Sequence, residues 1–248
     1  MQAYAESNIG LVREENQDVY RLTQVDKRTA LLLVCDGMGG AAGGKLAAET
    51  AADAFVSHFT ATYTELIGEE LPTPFQIQRV FSHAVYVANQ AVFERAAIEP
   101  EYAGMGTTVT AACIVGGTLF VANVGDSRAY LIRGGNAKQL THDDTYVQEL
   151  VDRGDLSPEE AKASKQKNLL TRVLGPAPYV EFSFVHEPLR KGDRVLLCSD
   201  GLSNYHTEER LAALAHPQID LRAAVKMMIH EACRAGGQDN ITCVLVGI

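Results

Sequence analysis

Four aspartates stand at the ends of apolar or β-rich runs, where carboxylates can hold cations. Asp36 and Asp200 each follow a strongly apolar run and precede a glycine. Asp126 lies in a short turn between two β-rich runs, and Asp239 shortly precedes the last one. One such aspartate is usually a turn residue or a helix cap, but a desolvated carboxylate is costly unless a cation neutralises it. Because oxygen ligands without His or Cys favour Mg²⁺ or Mn²⁺, the pattern predicts a site for these ions.

The glycine-rich segment after Asp36 also fits two nucleotide-binding motifs. Residues 37–42 match the GxGxx(G/A) dinucleotide pattern, and residues 39–45 match the first positions of a P-loop. However, Leu46 stands where a P-loop needs Ser or Thr to hold Mg²⁺. A dinucleotide site needs a parallel βαβ unit, whereas two long helices and β-rich runs follow here. A nucleotide-binding oxidoreductase and a plain flexible turn are therefore minor alternatives.

The elements that must position these aspartates can be predicted from periodicity. Residues 29–35 and 194–199 read as buried strands that end at Asp36 and Asp200. The short links at 116–117 and 125–127 predict hairpins, and hence an antiparallel sheet. An α+β class is favoured over a parallel α/β fold. The other predicted elements are strands at 107–115, 118–124, 128–133, 180–185 and 241–246, and helices at 43–66, 73–97, 144–154, from 157 onward, 207–215 and 220–234.

Composition limits the function classes. The chain has 248 residues, 46% of them hydrophobic, and a net charge of −9, which disfavours binding to nucleic acid. No apolar run approaches the ~20 residues of a membrane span, and the N-terminus lacks the pattern of a secretory signal. The five cysteines form no CxxC pair, so we interpret them as buried apolar residues of a reducing compartment. A cytoplasmic location is expected.

Six short blocks occur in the order found in the metal-dependent Ser/Thr protein phosphatase family (PPM, type 2C). Each block is weak alone, but together they extend from residue 7 to residue 246, and the sequence most resembles the compact bacterial members. The blocks are Arg13-x-x-Asn16-x-Asp18, Asp36-Gly37-Met38-Gly39-Gly40, Gly106-Thr107-Thr108, Gly125-Asp126-Ser127-Arg128, Ser199-Asp200-Gly201 and Gly237-Gln238-Asp239-Asn240.

The resemblance implies a four-layer αββα sandwich, in which helix pairs flank two antiparallel β-sheets and a metal site lies in a cleft at one end. Residues 1–248 would form one domain, with a flap subdomain at about 143–175. By resemblance, Asp36 would bridge two Mn²⁺ or Mg²⁺ ions. Asp200 and Asp239 would complete the first site, and the Gly37 carbonyl would serve the second.

Three further roles follow from the resemblance. Asp18 would act mainly through metal-bound water, and Asp126 would share a third, weaker ion with Asp200. Arg13 would bind the substrate phosphate, a role suited to its planar fork of donors. Arg13, Asp36 and Asp239 would contribute most directly to catalysis.

The implied reaction is hydrolysis of phosphoserine and phosphothreonine in proteins by a metal-activated water. The partners would be phosphoproteins, including a cognate Ser/Thr kinase and its substrates, and the chain would be a monomer. A pseudophosphatase-like binding module without turnover is the alternative, although no metal aspartate is missing.

The sequence departs from the family at several positions. Some relatives have a histidine, a candidate general acid, where Met38 or Ala41 stands here. Gln17 replaces a residue that is acidic in many members. His142 is a remote candidate acid, and Arg172 is either a substrate contact or a solvated side chain.

Overall fold

The computed structural model describes residues 1–66 and 71–248. The strands are β1 (Gln2–Asn8), β2 (Asp18–Asp26), β3 (Thr29–Met38), β4 (Gly106–Thr107), β5 (Val109–Val115), β6 (Thr118–Val124), β7 (Arg128–Arg133), β8 (Asn136–Gln139), β9 (Ser183–Pro188), β10 (Arg194–Cys198) and β11 (Ile241–Gly247). The helices are α1 (Gly40–Leu66), α2 (Pro74–Ile98), α3 (Tyr146–Asp152), α4 (Pro158–Ala163), α5 (Asp200–Ser203), α6 (Glu208–Leu214) and α7 (Leu221–Arg234).

The strands form two antiparallel sheets. The first has the order β1-β11-β10-β7-β8, and the second has the order β2-β3-β5-β6-β9, with the short β4 also paired to β3. Because β3 and β5 are antiparallel, the glycine-rich segment between them belongs to no parallel βαβ unit. The dinucleotide-binding interpretation is therefore wrong, and the α+β prediction is confirmed.

Alternating side chains of β3 divide the molecule into layers. Leu31 and Leu33 pack with α1 and α2 on the outer face of the second sheet. Leu32 and Val34 point the other way, into an apolar core between the two sheets. On the far side, α6 and α7 cover the first sheet through a third core. This arrangement confirms the four-layer αββα sandwich.

The link between β6 and β7 corrects one prediction. Its length suggested a hairpin, but β6 pairs with β5 and β9, whereas β7 pairs with β8 and β10 in the other sheet. Gly125 has φ of +101°, which L side chains rarely adopt, and the chain crosses there from one sheet to the other. A link of this length fits a hairpin or a crossing, so length alone cannot distinguish them.

The predicted starts of two helices are confirmed by their caps. Thr73 and Gln76 form a reciprocal capping box at the start of α2, and Ser157 and Glu160 form another at α4. The segment 143–175, called the flap below, contains α3 and α4. A β-bridge between Thr145 and Leu170 joins its two ends, and a β-bridge between Leu174 and Thr107 connects it to the body. Its role as a subdomain stays a prediction.

Four of the five cysteines pack as expected. Cys35, Cys113, Cys198 and Cys243 are buried, Cys233 is partly buried, and all five are free thiols. Burial raises the pKa of the Cys35 thiol, which makes it a poor nucleophile. In the part of the chain that the structure describes, no helix combines the length and apolar character needed to cross a bilayer.

Candidate metal centre

The predicted aspartates lie at one end of the sandwich because neighbouring strands bring them there. Asp18 begins β2 and lies opposite Asp36 of β3 in the antiparallel register. Asp200 begins α5 two residues after the end of β10, and Asp239 lies two residues before β11, the neighbour of β10. Asp126 occupies the crossing between the sheets. Residues separated by up to 221 positions thus share one edge of the fold.

These residues surround one cavity of about 680 Å³. Those predicted residues that line the cavity are Arg13, Asp36, Gly37, Asp126, Asp200 and Asp239. The buried Asp18 lies behind them, where the Ser199 hydroxyl donates a hydrogen bond to its Oδ2 at 2.7 Å. A second cavity of about 740 Å³ extends between the flap and α5–α6, and both cavities share Asp126, Asn168 and Asp200 as lining residues.

At two glycines beside the aspartates, the backbone packs too closely against another backbone segment to allow a side chain. A Cβ added to Gly37 would lie 2.1 Å from the carbonyl oxygen of Gly44. A Cβ added to Gly201 would lie 2.0 Å from the carbonyl oxygen of Asn240. Since real Cβ atoms do not approach backbone so closely, the glycine after each strand-end aspartate is required by packing.

Loss of solvent and mutual repulsion raise the pKa of four carboxyls of the cluster, those of Asp18, Asp36, Asp126 and Asp200. Desolvation is the largest cause at each of these four. It raises the pKa of Asp18 to about 7, that of Asp126 to about 8 and that of Asp200 to about 6. The pKa of Asp36 lies well above its ordinary value, because Asp18 and Asp200 add their repulsion to the desolvation.

The donor set fits hard divalent cations. Oδ1 of Asp18 and Oδ1 of Asp200 are buried and accept no hydrogen bond in the described structure. Buried acceptors without partners are costly, and a cation would satisfy them while relieving the repulsion among the carboxylates. Within residues 1–66 and 71–248, no three His, Cys, Asp or Glu side chains form a ready-made metal cage. The proposed donor set differs from such a cage in two ways. It includes the main-chain carbonyl of Gly37, and one of its carboxylates, that of Asp239, is paired with an arginine.

That arginine is Arg13, which pairs with Asp239. Its Nε donates to Oδ1 at 2.9 Å, and its Nη2 donates to Oδ2 at 2.8 Å. This hydrogen bonding raises the pKa of the Arg13 guanidinium, with smaller contributions from Asp36 and Asp200. The guanidinium therefore lies at the cavity as a cation that faces the aspartate cluster.

Asn240 is a site residue to which the sequence patterns gave no role of its own. Its buried side chain donates to the carbonyls of Ile9 and Glu15 at 2.9 and 3.0 Å. It also accepts a hydrogen bond from the backbone N–H of Gln17 at 2.8 Å. The loop that carries Arg13 is thus fixed to the strand that follows Asp239. An Asn beside a turn is common, so the sequence alone carried little signal of this role.

Asn240→Ala should lower the free energy of unfolding by about 2 kcal/mol, because three backbone groups would lose buried partners. Urea denaturation in EDTA would measure the change. Asn136→Ala, at an exposed position of β8, is the matched control and should change stability by less than about 0.5 kcal/mol. Equal stability of the two variants would contradict the anchoring role.

Thr108 supports Asp36 from the neighbouring strand end. Its hydroxyl accepts a hydrogen bond from the backbone N–H of Asp36 at 2.9 Å and lies 2.9 Å from the hydroxyl of Ser127. Since Ser127 follows Asp126, this buried contact connects two of the aspartate segments. The Gly106-Thr107-Thr108 block therefore has a structural function beside the metal centre.

Two other candidates have structural partners away from the cluster. His142 lies beside Asp152 of α3, with Nε2 to Oδ2 at 3.0 Å. Arg172 pairs with the buried Asp144 at 2.8 Å and holds the base of the flap. Met38 lines the cavity, and its thioether has no proton to donate.

Comparisons with known proteins agree with this geometry. The family model described as protein phosphatase 2C matches residues 12–244. The serine/threonine protein phosphatase PstP of Mycobacterium tuberculosis is 38% identical over 245 residues, which cover 98% of this chain and 44% of that protein. The serine/threonine phosphatase stp of Listeria innocua is 33% identical, with 99% of this chain and 95% of that protein covered. The chain thus spans less than half of the mycobacterial relative and nearly all of the Listeria one.

Solved structures show the same similarity. Stp1 of Staphylococcus aureus has a TM-score of 0.91 at 30% identity, with 100% of this chain and 94% of that chain covered. The catalytic domain of PstP in complex with two manganese ions has a TM-score of 0.81 at 36% identity, with 98% and 96% covered. This chain belongs to the protein phosphatase 2C family of metal-dependent Ser/Thr protein phosphatases.

Proposed function

We propose that this chain hydrolyses phosphoserine and phosphothreonine in proteins, with Mn²⁺ or Mg²⁺ as its cofactor. The observation that carries the proposal is the convergence of Asp36, Asp126, Asp200 and Asp239 with Arg13 around one cavity. Such a concentration of carboxylates suits hard cations, and a guanidinium beside them suits phosphoryl oxygens.

The metal ligands are proposed as follows. Asp36, Asp200, Asp239 and the Gly37 carbonyl would hold two ions, with Asp36 shared between them. Asp18, which Ser199 orients, supports the site from behind through water. Asp126 and Asp200 would hold a third, weaker ion. When bound, the ions would act as Lewis acids and lower the pKa of a coordinated water.

The chain's own residues bind and orient the phosphorylated substrate. Arg13 has the planar donors that bind two phosphoryl oxygens and offset the charge that develops there. The cavity between the flap and α5–α6 shares a wall with the metal centre, so it can accept polypeptide that flanks the phosphorylated residue. A polypeptide substrate uses both cavities, whereas a small phosphate ester needs only the first.

Metal removal tests the proposal. Phosphoserine and phosphothreonine peptides should be hydrolysed in Mn²⁺ or Mg²⁺, and EDTA should lower the rate by at least about 100-fold, because metal ions supply both the activated water and charge stabilisation. Phosphate release would be measured, with a phosphotyrosine peptide as the comparison. Equal turnover in EDTA would refute metal dependence. Metal binding without hydrolysis of any phosphopeptide would instead support the pseudophosphatase alternative.

We propose further that the substrates include a Ser/Thr kinase and its targets, and that the chain acts as a monomer in the cytoplasm. The free thiols of all five cysteines support a reducing compartment. Light scattering of the purified chain would test the monomer, since a mass near twice 26.8 kDa would contradict it.

A further inference from the structure

Arg13 and Asp239 form an ion pair with each other, although the proposed reaction needs Arg13 on the substrate phosphate and Asp239 on a metal ion. Both carboxylate oxygens of Asp239 accept a hydrogen bond from the same guanidinium, at 2.9 and 2.8 Å. Oδ1 also accepts the backbone N–H of Asn240 at 2.9 Å. In this arrangement both carboxylate oxygens of Asp239 are engaged by Arg13.

The atoms that form this pair are the same atoms that the two residues need for their proposed roles in phosphate and metal binding. Nε and Nη2 form one of the edges by which a guanidinium binds two oxygens of a carboxylate or a phosphate. The carboxylate lone pairs that accept these N–H groups are the ones that a cation would coordinate. Arg13 therefore cannot offer that edge to a phosphate while Asp239 holds it.

We propose that Asp239 holds Arg13 away from the substrate until a metal ion takes the carboxylate. Metal binding then frees the guanidinium edge for the phosphoryl group, so that Arg13 competes with the metal in the absence of substrate. Because such linkage is reciprocal, phosphate binding to Arg13 also strengthens metal binding. This inference rests on the proposed function.

The pair has the exposure expected of a contact that can open. The side chain of Arg13 is 55% exposed and that of Asp239 is 28% exposed. Exposed ion pairs contribute little to stability, so a metal ion can replace Arg13 as the partner of Asp239 without unfolding of the site. A comparable pair, Arg210 with Glu231, has exposures of 51% and 36% and lies between α6 and α7. It provides a matched control.

Calorimetric titration of the metal-free full chain with Mn²⁺ alone would test the competition. In Arg13→Ala and Arg13→Lys, the Kd for Mn²⁺ should fall by about two- to fivefold, the range expected when an exposed pair is lost. Arg13→Lys keeps the positive charge but lacks the fork that engages both oxygens. Arg210→Ala should bind Mn²⁺ as the wild type does. Circular dichroism would confirm that each variant is folded.

The Mn²⁺ affinities of the wild type and the variants can contradict the competition without contradicting the metal-dependent function. If Arg13→Ala alone binds Mn²⁺ more tightly, charge explains the effect and the competition by the fork is wrong. If all variants bind Mn²⁺ equally, the inference fails while the metal-dependent function stands. If the wild type binds no Mn²⁺, both fail.

Discussion

Asp36→Asn should lower kcat/KM for a phosphothreonine peptide by about 100-fold or more, while it stabilises the metal-free protein. The activity loss follows because the proposed bridging carboxylate contacts both ions and thereby sets the charge of the site. The stability gain follows because burial and the neighbouring Asp18 and Asp200 already disfavour the Asp36 carboxylate. Steady-state kinetics in Mn²⁺ and thermal unfolding in EDTA would measure the two effects.

Asp53→Asn is the control for this prediction. Asp53 is exposed and pairs with Arg21 on the surface, so its neutralisation should leave both kcat/KM and the unfolding temperature nearly unchanged. In addition, Mn²⁺ should raise the unfolding temperature of Asp53→Asn but have little effect on Asp36→Asn. Near-normal turnover of folded Asp36→Asn would exclude Asp36 as a metal ligand.

The stability of the metal-free protein should fall as the pH rises from about 4 to about 8. A carboxyl whose pKa is higher in the folded state than in the unfolded state binds more protons when folded, so its stabilising effect is lost as it deprotonates. The relevant pKa values are about 6 for Asp200, about 7 for Asp18 and about 8 for Asp126. We expect a loss of several kcal/mol between pH 5 and pH 8.

Urea denaturation in EDTA across this pH range would measure the loss. With saturating Mn²⁺ the profile should reverse and stability should rise with pH, because the ions bind the deprotonated carboxylates. Asp18→Asn should flatten part of the slope in EDTA. A metal-free profile that is flat or rises with pH would contradict the mutual destabilisation of these carboxyls.

The sequence predicted the site better than it predicted the paths between its parts. Asp36 and Asp200 could be found because an apolar run that stops at Asp-Gly marks both a buried strand and its end. The strands β1 and β2 were not predicted, since they mix polar and apolar residues and many of their side chains are only partly buried. Because these strands were not predicted, the register that places Asp18 opposite Asp36 could not be predicted either.

Two other features depended on tertiary structure. The crossing at Gly125 is set by the pairing of β7 with the distant β10, and the hydrogen bonds of Asn240 also join distant segments, so local propensity could predict neither. The partners of His142 and Arg172 were ambiguous for the same reason. The motif order identified which residues meet, whereas only the folded structure shows which of them have hydrogen-bond partners.

The division of the ligands between two sheets has a consequence for ion selectivity. Asp36 belongs to one sheet and Asp200 follows a strand of the other, so the apolar layer between the sheets acts as a spacer for the proposed ions. Mg²⁺ demands short bonds and near-octahedral geometry, which makes it sensitive to that spacing. Residues such as Leu131 and Val244, which are buried in this layer and do not line the cavity, therefore offer a way to tune cation preference by altering the thickness of the sandwich.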